Sequence, residues 1–174
     1  MARLPIVIAP HSVLKAKAKP LPTIDDSTRR LLDDMLETMY DAPGIGLSGN
    51  QVGVLHRLVV LDVARADAKP NPMKLINPEI VWQSDEISTY SEGCLSLPDQ
   101  YADVTRPARI NFRFLDEHGR RQEMPAEGLL ATCVQHEIDH LDGVLFVDHL
   151  SALKRNMILR KLAKAQKTKT ESAM

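Results

Sequence analysis

The sequence predicts an α+β fold: antiparallel or mixed β-sheets around a buried central helix, with an N-terminal helix and a C-terminal helix beside it. Three observations carry this reading. Helical spacing of apolar residues occurs near 31–40, across 129–141 and after Ser151. Between the first two stretches, apolar residues run in short blocks or alternate with polar ones, as strands do. The order helix, several strands, helix, helix is not the βα alternation of a parallel sheet. At 174 residues the chain is read as one domain over 1–174, long enough to fold without disulfides.

The elements follow in order. Ile6–Ala9 is read as extended, before a loop punctuated by Pro10, Pro20 and Pro22. Asp25 and Asp26 supply an N-cap and a first-turn anion for a helix. Its buried face is Leu31, Leu32, Met35, Leu36, Met39 and Tyr40, and Pro43-Gly44 ends it. Gly44–Gln51 is glycine-rich but lacks the lysine and spacing of a phosphate loop. Strands are expected at Leu58–Val63, within Leu75–Thr89, across Ile110, Phe112 and Phe114, and over Arg121–Pro125, with a turn at Glu117-His118-Gly119. Leu129–Leu141 has no proline or glycine and is apolar on most of its circumference, which marks a buried helix closed by Asp142-Gly143. Ser151 can cap a last helix to about residue 165, with a frayed tail beyond it.

Composition narrows the function. Aromatics are only 4% of residues, too few for stacking platforms that hold nucleic-acid bases. The net charge of −1 gives no global attraction to nucleic acid, but it hides a division. Residues 151–174 hold seven cations, Lys154, Arg155, Arg160, Lys161, Lys164, Lys167 and Lys169, against Glu171 alone. The tail is therefore +6 and the body −7. Two cysteines do not make a disulfide scaffold, and no stretch approaches the ~20 apolar residues of a membrane span. A cytoplasmic protein with reduced thiols, no membrane partner and a monomeric state is expected.

The buried helix contains His136-Glu137-Ile138-Asp139-His140. Four residues advance about 400° on a helix, so the two imidazoles lie one turn apart and about 40° around. Both can grip one ion, while Glu137, about 100° from His136, can reach water at that ion without being a ligand. Burying two histidines, a glutamate and an aspartate on an apolar helix is costly unless something compensates them. A catalytic site of this type needs a third protein ligand. Gly143 fits the extended pattern HExxHxxGxxH, but Phe146 stands at its last position. Asp148, His149 and Cys94 remain as candidates, with Glu171 far out in the tail. Cys94 lies in Glu92-Gly93-Cys94-Leu95-Ser96-Leu97-Pro98, which reads as a strand ending in a fixed turn.

Three segments together, GIGLSGNQVG, EGCLSLP and QHEIDHLDG, resemble the three signature motifs of the peptide deformylases, in order and from about Pro5 to Leu162. The resemblance implies metal-dependent hydrolysis of the N-formyl group from N-formylmethionyl nascent peptides, releasing formate. It implies Cys94, His136 and His140 as metal ligands, with Fe2+ as the native ion and Zn2+, Ni2+ or Co2+ as possible substitutes. It makes Glu137 the general acid/base and gives Gln51 and the Leu95 N–H to the oxyanion. Gly44, Ile45 and Gly46 become the edge against which the substrate peptide lies, and Cys133 lines the methionine pocket. Ser48-Gly49 stands where the family usually has Ala-Ala, so a looser loop around Gln51 is expected. His11 replaces the usual aspartate after Pro10, and Tyr101 stands where some members carry a substrate-contacting arginine.

Two other readings compete. A zinc peptidase shares HExxH but needs no cysteine ligand. A non-catalytic ribosome- or RNA-binding module would use the basic tail, with Leu153, Met157, Leu159 and Leu162 packed inward and the cations outward. Docking of that tail on ribosomal RNA is also compatible with catalysis on nascent chains.

Overall fold

A computed structural model describes residues 2–173 and the side-chain surroundings of residues 2–169. The chain forms α1 (Asp26–Asp41), β1 (Gly46–Ser48), β2 (Leu58–Leu61), β3 (Met73–Gln83), β4 (Ile87–Cys94), β5 (Leu97–Pro107), β6 (Arg109–Leu115), β7 (Arg121–Glu127), α2 (Gly128–Leu141) and α3 (Ala152–Ala173). Short 3-10 turns lie at Ser12–Lys15, Gly49–Val52 and Phe146–His149. This is the α+β arrangement that the residue pattern predicts.

Five strands make one sheet in the order β1-β2-β3-β6-β7, and β4-β5 is a separate two-stranded ribbon. Every pairing between these strands is antiparallel, and the parallel contact found is an isolated bridge between Lys19 and His56. The larger sheet is covered on both faces at β2. Val59 and Leu61 turn toward α2 and pack with Val134, Ile138 and Leu141. Leu58 and Val60 turn the other way, onto Leu32, Met35 and Met39 of α1. Alternate side chains point to opposite faces, so a strand covered on both sides must be apolar at every position. That explains why Leu58–Leu61 reads as an unbroken apolar run.

α1 begins where the sequence places it. Asp25 accepts a hydrogen bond from the Thr28 N–H, and the Thr28 hydroxyl accepts one from the Asp25 N–H, forming a reciprocal cap. The turn at Glu117-His118-Gly119 is confirmed, with Asp116 accepting from the N–H groups of His118 and Arg120. α2 is the buried central helix, with nine of its fourteen residues inaccessible. Gly143 ends it at φ 77°, and a Cβ there would stand 2.4 Å from the Lys15 carbonyl oxygen, so both conformation and space demand glycine.

Several expectations need correction. Part of the glycine-rich segment is a strand, β1, because Gly46–Ser48 pairs with Val59–Leu61. β5 has no counterpart among the expected strands, although Ala102, Val104 and Arg106 form its inner face. α3 continues past residue 165 to Ala173, so the expected frayed tail is helical; the Glu171 side chain lies outside the described residues. Its packed face also differs. Ile158, Leu159 and Leu162 join Leu97, Val104 and Phe146, while Leu153 is 72% and Met157 48% exposed. No described helix is long and apolar enough to cross a membrane.

Candidate active site

The site lies where the end of β4 meets α2. β4 and β5 form a long ribbon whose register slips between Gly93 and Cys94. The extra residues, Pro98 to Gln100, lie on β5, so β4 keeps its alternation and Cys94 stays on the face of Glu92. Cys94 then pairs with Leu97 across a tight turn, and its sulfur faces the helix. The thiol Sγ is 3.2 Å from His140 Nε2, which is 3.2 Å from His136 Nε2. The three potential ligand atoms lie within 4.8 Å of one another. Donors around one tetrahedral ion, each ~2.0–2.3 Å from it, stand ~3.3–3.7 Å apart. Two of the three separations are close to those on one face of such a tetrahedron. A thiol and two imidazole nitrogens turned to one point are a donor set that fits a metal. The competing candidates do not join it. Asp148 is bound to Lys15 and the Leu145 N–H, and His149 pairs with Asp139.

A charged network braces the ligands from behind. His136 Nδ1 is 2.9 Å from Glu92 Oε1. Arg106 donates to both oxygens of Glu92, at 2.7 and 2.9 Å, and to Asp139 Oδ2 at 2.8 Å. Asp139 in turn meets His149 Nε2 at 2.8 Å. A carboxylate on the remote imidazole nitrogen fixes ring orientation and leaves Nε2 free to ligate. Burial pushes the Glu92 carboxyl up, but Arg106 and His136 outweigh it and hold it at about 2.

Glu137 is 2% exposed, and its Oε1 has no hydrogen-bond partner. Burial pushes its carboxyl up to about 7, against the opposing pull of His136 and Arg106. A carboxyl at that value can take up and release a proton near neutral pH. Its other oxygen faces β1. A Cβ on Gly46 would stand 2.8 Å from Glu137 Oε2 and 3.0 Å from Cys133 Sγ. Glycine at this position lets the strand approach the carboxyl.

Gln51 is 1% exposed and sits in the 3-10 turn after β1. Its Oε1 accepts from the Ser48 N–H at 3.0 Å and from the Ser48 hydroxyl at 3.2 Å. Its Nε2 is thereby turned toward Cys94 Sγ at 3.4 Å and Ser96 Oγ at 3.2 Å. The looser loop expected from Ser48-Gly49 is not observed. Both residues are buried, and a Cβ on Gly49 would lie 2.6 Å from the Val54 carbonyl oxygen. The segment is pinned.

A cleft of about 420 Å³ opens onto these groups. Gly44, Ile45 and Gly46 form one wall, Gly93 to Leu95 and Tyr101 the other, and Leu129 and Cys133 line it from α2. All of the residues expected at the site thus border one cavity, except His140, which lies behind His136 and is fully buried. Glu92, Arg106 and Ser96 have no role in the sequence reading and gain one in the structure. Their signal was the strand period. Glu92 shares a face of β4 with Cys94, and Arg106 is the one charged side chain on the inner face of β5 over residues 102–106.

The family model described as polypeptide deformylase matches residues 3–156. A peptide deformylase of Rhizobium meliloti is 55% identical over 98% of this chain and 98% of its own length. The crystal structure of a peptide deformylase from Ehrlichia chaffeensis, in complex with actinonin, aligns at TM-score 0.90 and 40% identity, covering 95% of this chain and 98% of that one. A peptide deformylase from Legionella pneumophila aligns at TM-score 0.90 and 43% identity, covering 97% and 98%. Sequence, fold and a Cys-His-His donor set agree, and the chain belongs to the polypeptide deformylases, metal-dependent hydrolases that remove the N-formyl group from nascent peptides.

Proposed function

We propose that Cys94, His136 and His140 hold one divalent ion, Fe2+ in the cell, and that Glu137, Gln51 and the Leu95 N–H carry out the chemistry beside it. The convergence of one thiol and two imidazoles at the cleft, with His140 buried behind His136, carries this reading. A thiolate with two imidazoles suits Fe2+, Zn2+, Co2+ or Ni2+, and the soft sulfur disfavours Mg2+ and Ca2+. Held by these three residues, such an ion would supply a lowered pKa for water and polarisation of the formyl carbonyl.

The chain's own residues do the rest. Glu137, poised near neutrality, takes a proton from the attacking water and delivers it to the departing amine nitrogen. Gln51 Nε2 and the Leu95 N–H stabilise the charge that develops on the formyl oxygen. A donor of this kind contributes about 10²–10³ in rate. The substrate backbone lies along Gly44–Gly46. β1 is the outermost strand of its sheet, so one edge is free to pair with an extended peptide. Cys133, bordering the cleft beneath Gly46, lines the pocket for the methionine side chain.

The test is formate release from formyl-Met-Ala-Ser by anaerobically purified protein, with metal analysis on the same sample. Glu137→Ala is expected to keep the metal and lose turnover; an active variant would overturn the role of Glu137. Cys94→Ala is expected to lose the metal, whereas a peptidase of the HExxH type would keep it.

The same reading places the protein in the cytoplasm as a monomer, with 1–174 as one domain. α3 supports docking on the ribosome, because Lys154, Arg160, Lys161, Lys164, Lys167 and Lys169 are exposed while Ile158, Leu159 and Leu162 face the body. Salt-sensitive co-sedimentation with ribosomes, lost on truncation after Ala152, is the expected result; unchanged co-sedimentation removes the docking role.

A further inference from the structure

Gln51 can serve the oxyanion only if its amide presents NH2, not C=O, to the cleft. The two ends of an amide have the same shape, so packing alone does not choose between them. Hydrogen bonding does. Ser48 is fully buried, and both of its donors converge on Gln51 Oε1, the N–H at 3.0 Å and the hydroxyl at 3.2 Å. Inverting the amide would set NH2 against the Ser48 N–H, which can only donate, and the carbonyl oxygen against the Cys94 sulfur. The backbone N–H sets the sense of the amide. The hydroxyl adds a second anchor that the usual alanine at this position cannot supply.

We infer that Ser48 is a positioning residue for catalysis: its hydroxyl locks the Gln51 carboxamide with Nε2 facing the substrate. It rests on the oxyanion role given to Gln51 above. The anchoring matters during turnover. Gln51 Nε2 is within reach of Ser96 Oγ and Cys94 Sγ, and serving the oxyanion requires it to exchange those partners for substrate. An Oε1 held by two donors keeps the amide plane fixed through that exchange. Gly49 supports the same geometry from the next residue. Its missing Cβ lets the 3-10 turn that carries Gln51 press against the carbonyl oxygens of Val54 and His56, 2.6 and 2.7 Å from where that Cβ would stand.

The test is a cycle of Ser48→Ala, Gln51→Ala and the double variant, with kcat and KM measured on formyl-Met-Ala-Ser. One neutral hydrogen bond corresponds to about a 2- to 10-fold change in kcat, so Ser48→Ala is expected to fall in that range with KM unchanged. In the Gln51→Ala background the same substitution is expected to change nothing further. An equal loss in both backgrounds, a change confined to KM, or no loss at all overturns the role of Ser48. An unchanged kcat in Gln51→Ala alone overturns the oxyanion reading instead, so the two failures are distinguishable. A readout independent of turnover is the Gln51 side-chain amide in a 15N-labelled sample. Its NH2 rotation is expected to be faster in Ser48→Ala, and an unchanged rate counts against the lock.

Discussion

Replacing Arg106 with methionine isolates how much the brace behind the metal ligands contributes to stability. Arg106 is 6% exposed and makes three hydrogen bonds, two to Glu92 and one to Asp139. Methionine matches much of its stem, so little cavity is added. The loss is electrostatic: Glu92, 5% exposed, keeps its charge with His136 as its remaining partner. Removing one member of a buried pair costs about 3–5 kcal/mol, because the other charge stays desolvated. For a chain of this size that corresponds to about 6–20 °C in melting temperature. The assay is thermal unfolding at a fixed excess of metal, since bound metal itself raises the apparent stability. The same substitution in a Glu92→Gln background is expected to cost less, by about 0.5–3 kcal/mol, because the one carboxylate then left by Arg106, Asp139, is partly exposed and keeps His149. A loss in Arg106→Met below about 1 kcal/mol, the range of exposed pairs, would refute the reasoning, as would equal losses in the two backgrounds.

Gly46→Ala places a methyl 2.8 Å from Glu137 Oε2, and is expected to cost about 1–3 kcal/mol in stability and to lower kcat by displacing the carboxyl. Urea unfolding and formate release check the two halves separately. Burial pushes the Asp148 carboxyl up, but the Lys15 ammonium and the Leu145 N–H outweigh it and hold it below the usual 3.8. A carboxyl depressed in the folded state adds stability above the unfolded value and loses it as pH falls through the folded one. The stability gap between the natural protein and Asp148→Asn is therefore expected to be constant from pH 7 to about 5 and to close below about 3.8, as read by urea unfolding across that range.

The sequence by itself determined the elements whose cause is local. Asp25 caps α1 through contacts within one turn, and the apolar circumference of 129–141 can be stable only when buried. The spacing of His136 and His140 is likewise local, since one helical turn brings both rings to one side. Three motifs in order then carried the family. Only the tertiary structure decided what depends on separate segments meeting. The residues alone leave Cys94, Asp148 and His149 as candidates for a third ligand; in the structure the Cys94 sulfur meets His140, while Lys15 and Asp139 occupy the others. Arg106 could not be assigned from its own strand, because the carboxylates that compensate its burial come from β4 and α2. The part played by Ser48 required both ends of an amide to be located. Hydrogen bonds act over about 3 Å; Ser48 and Gln51 share one turn, but residues 94 and 96 come within that range of Gln51 only after the sheet and the ribbon have packed.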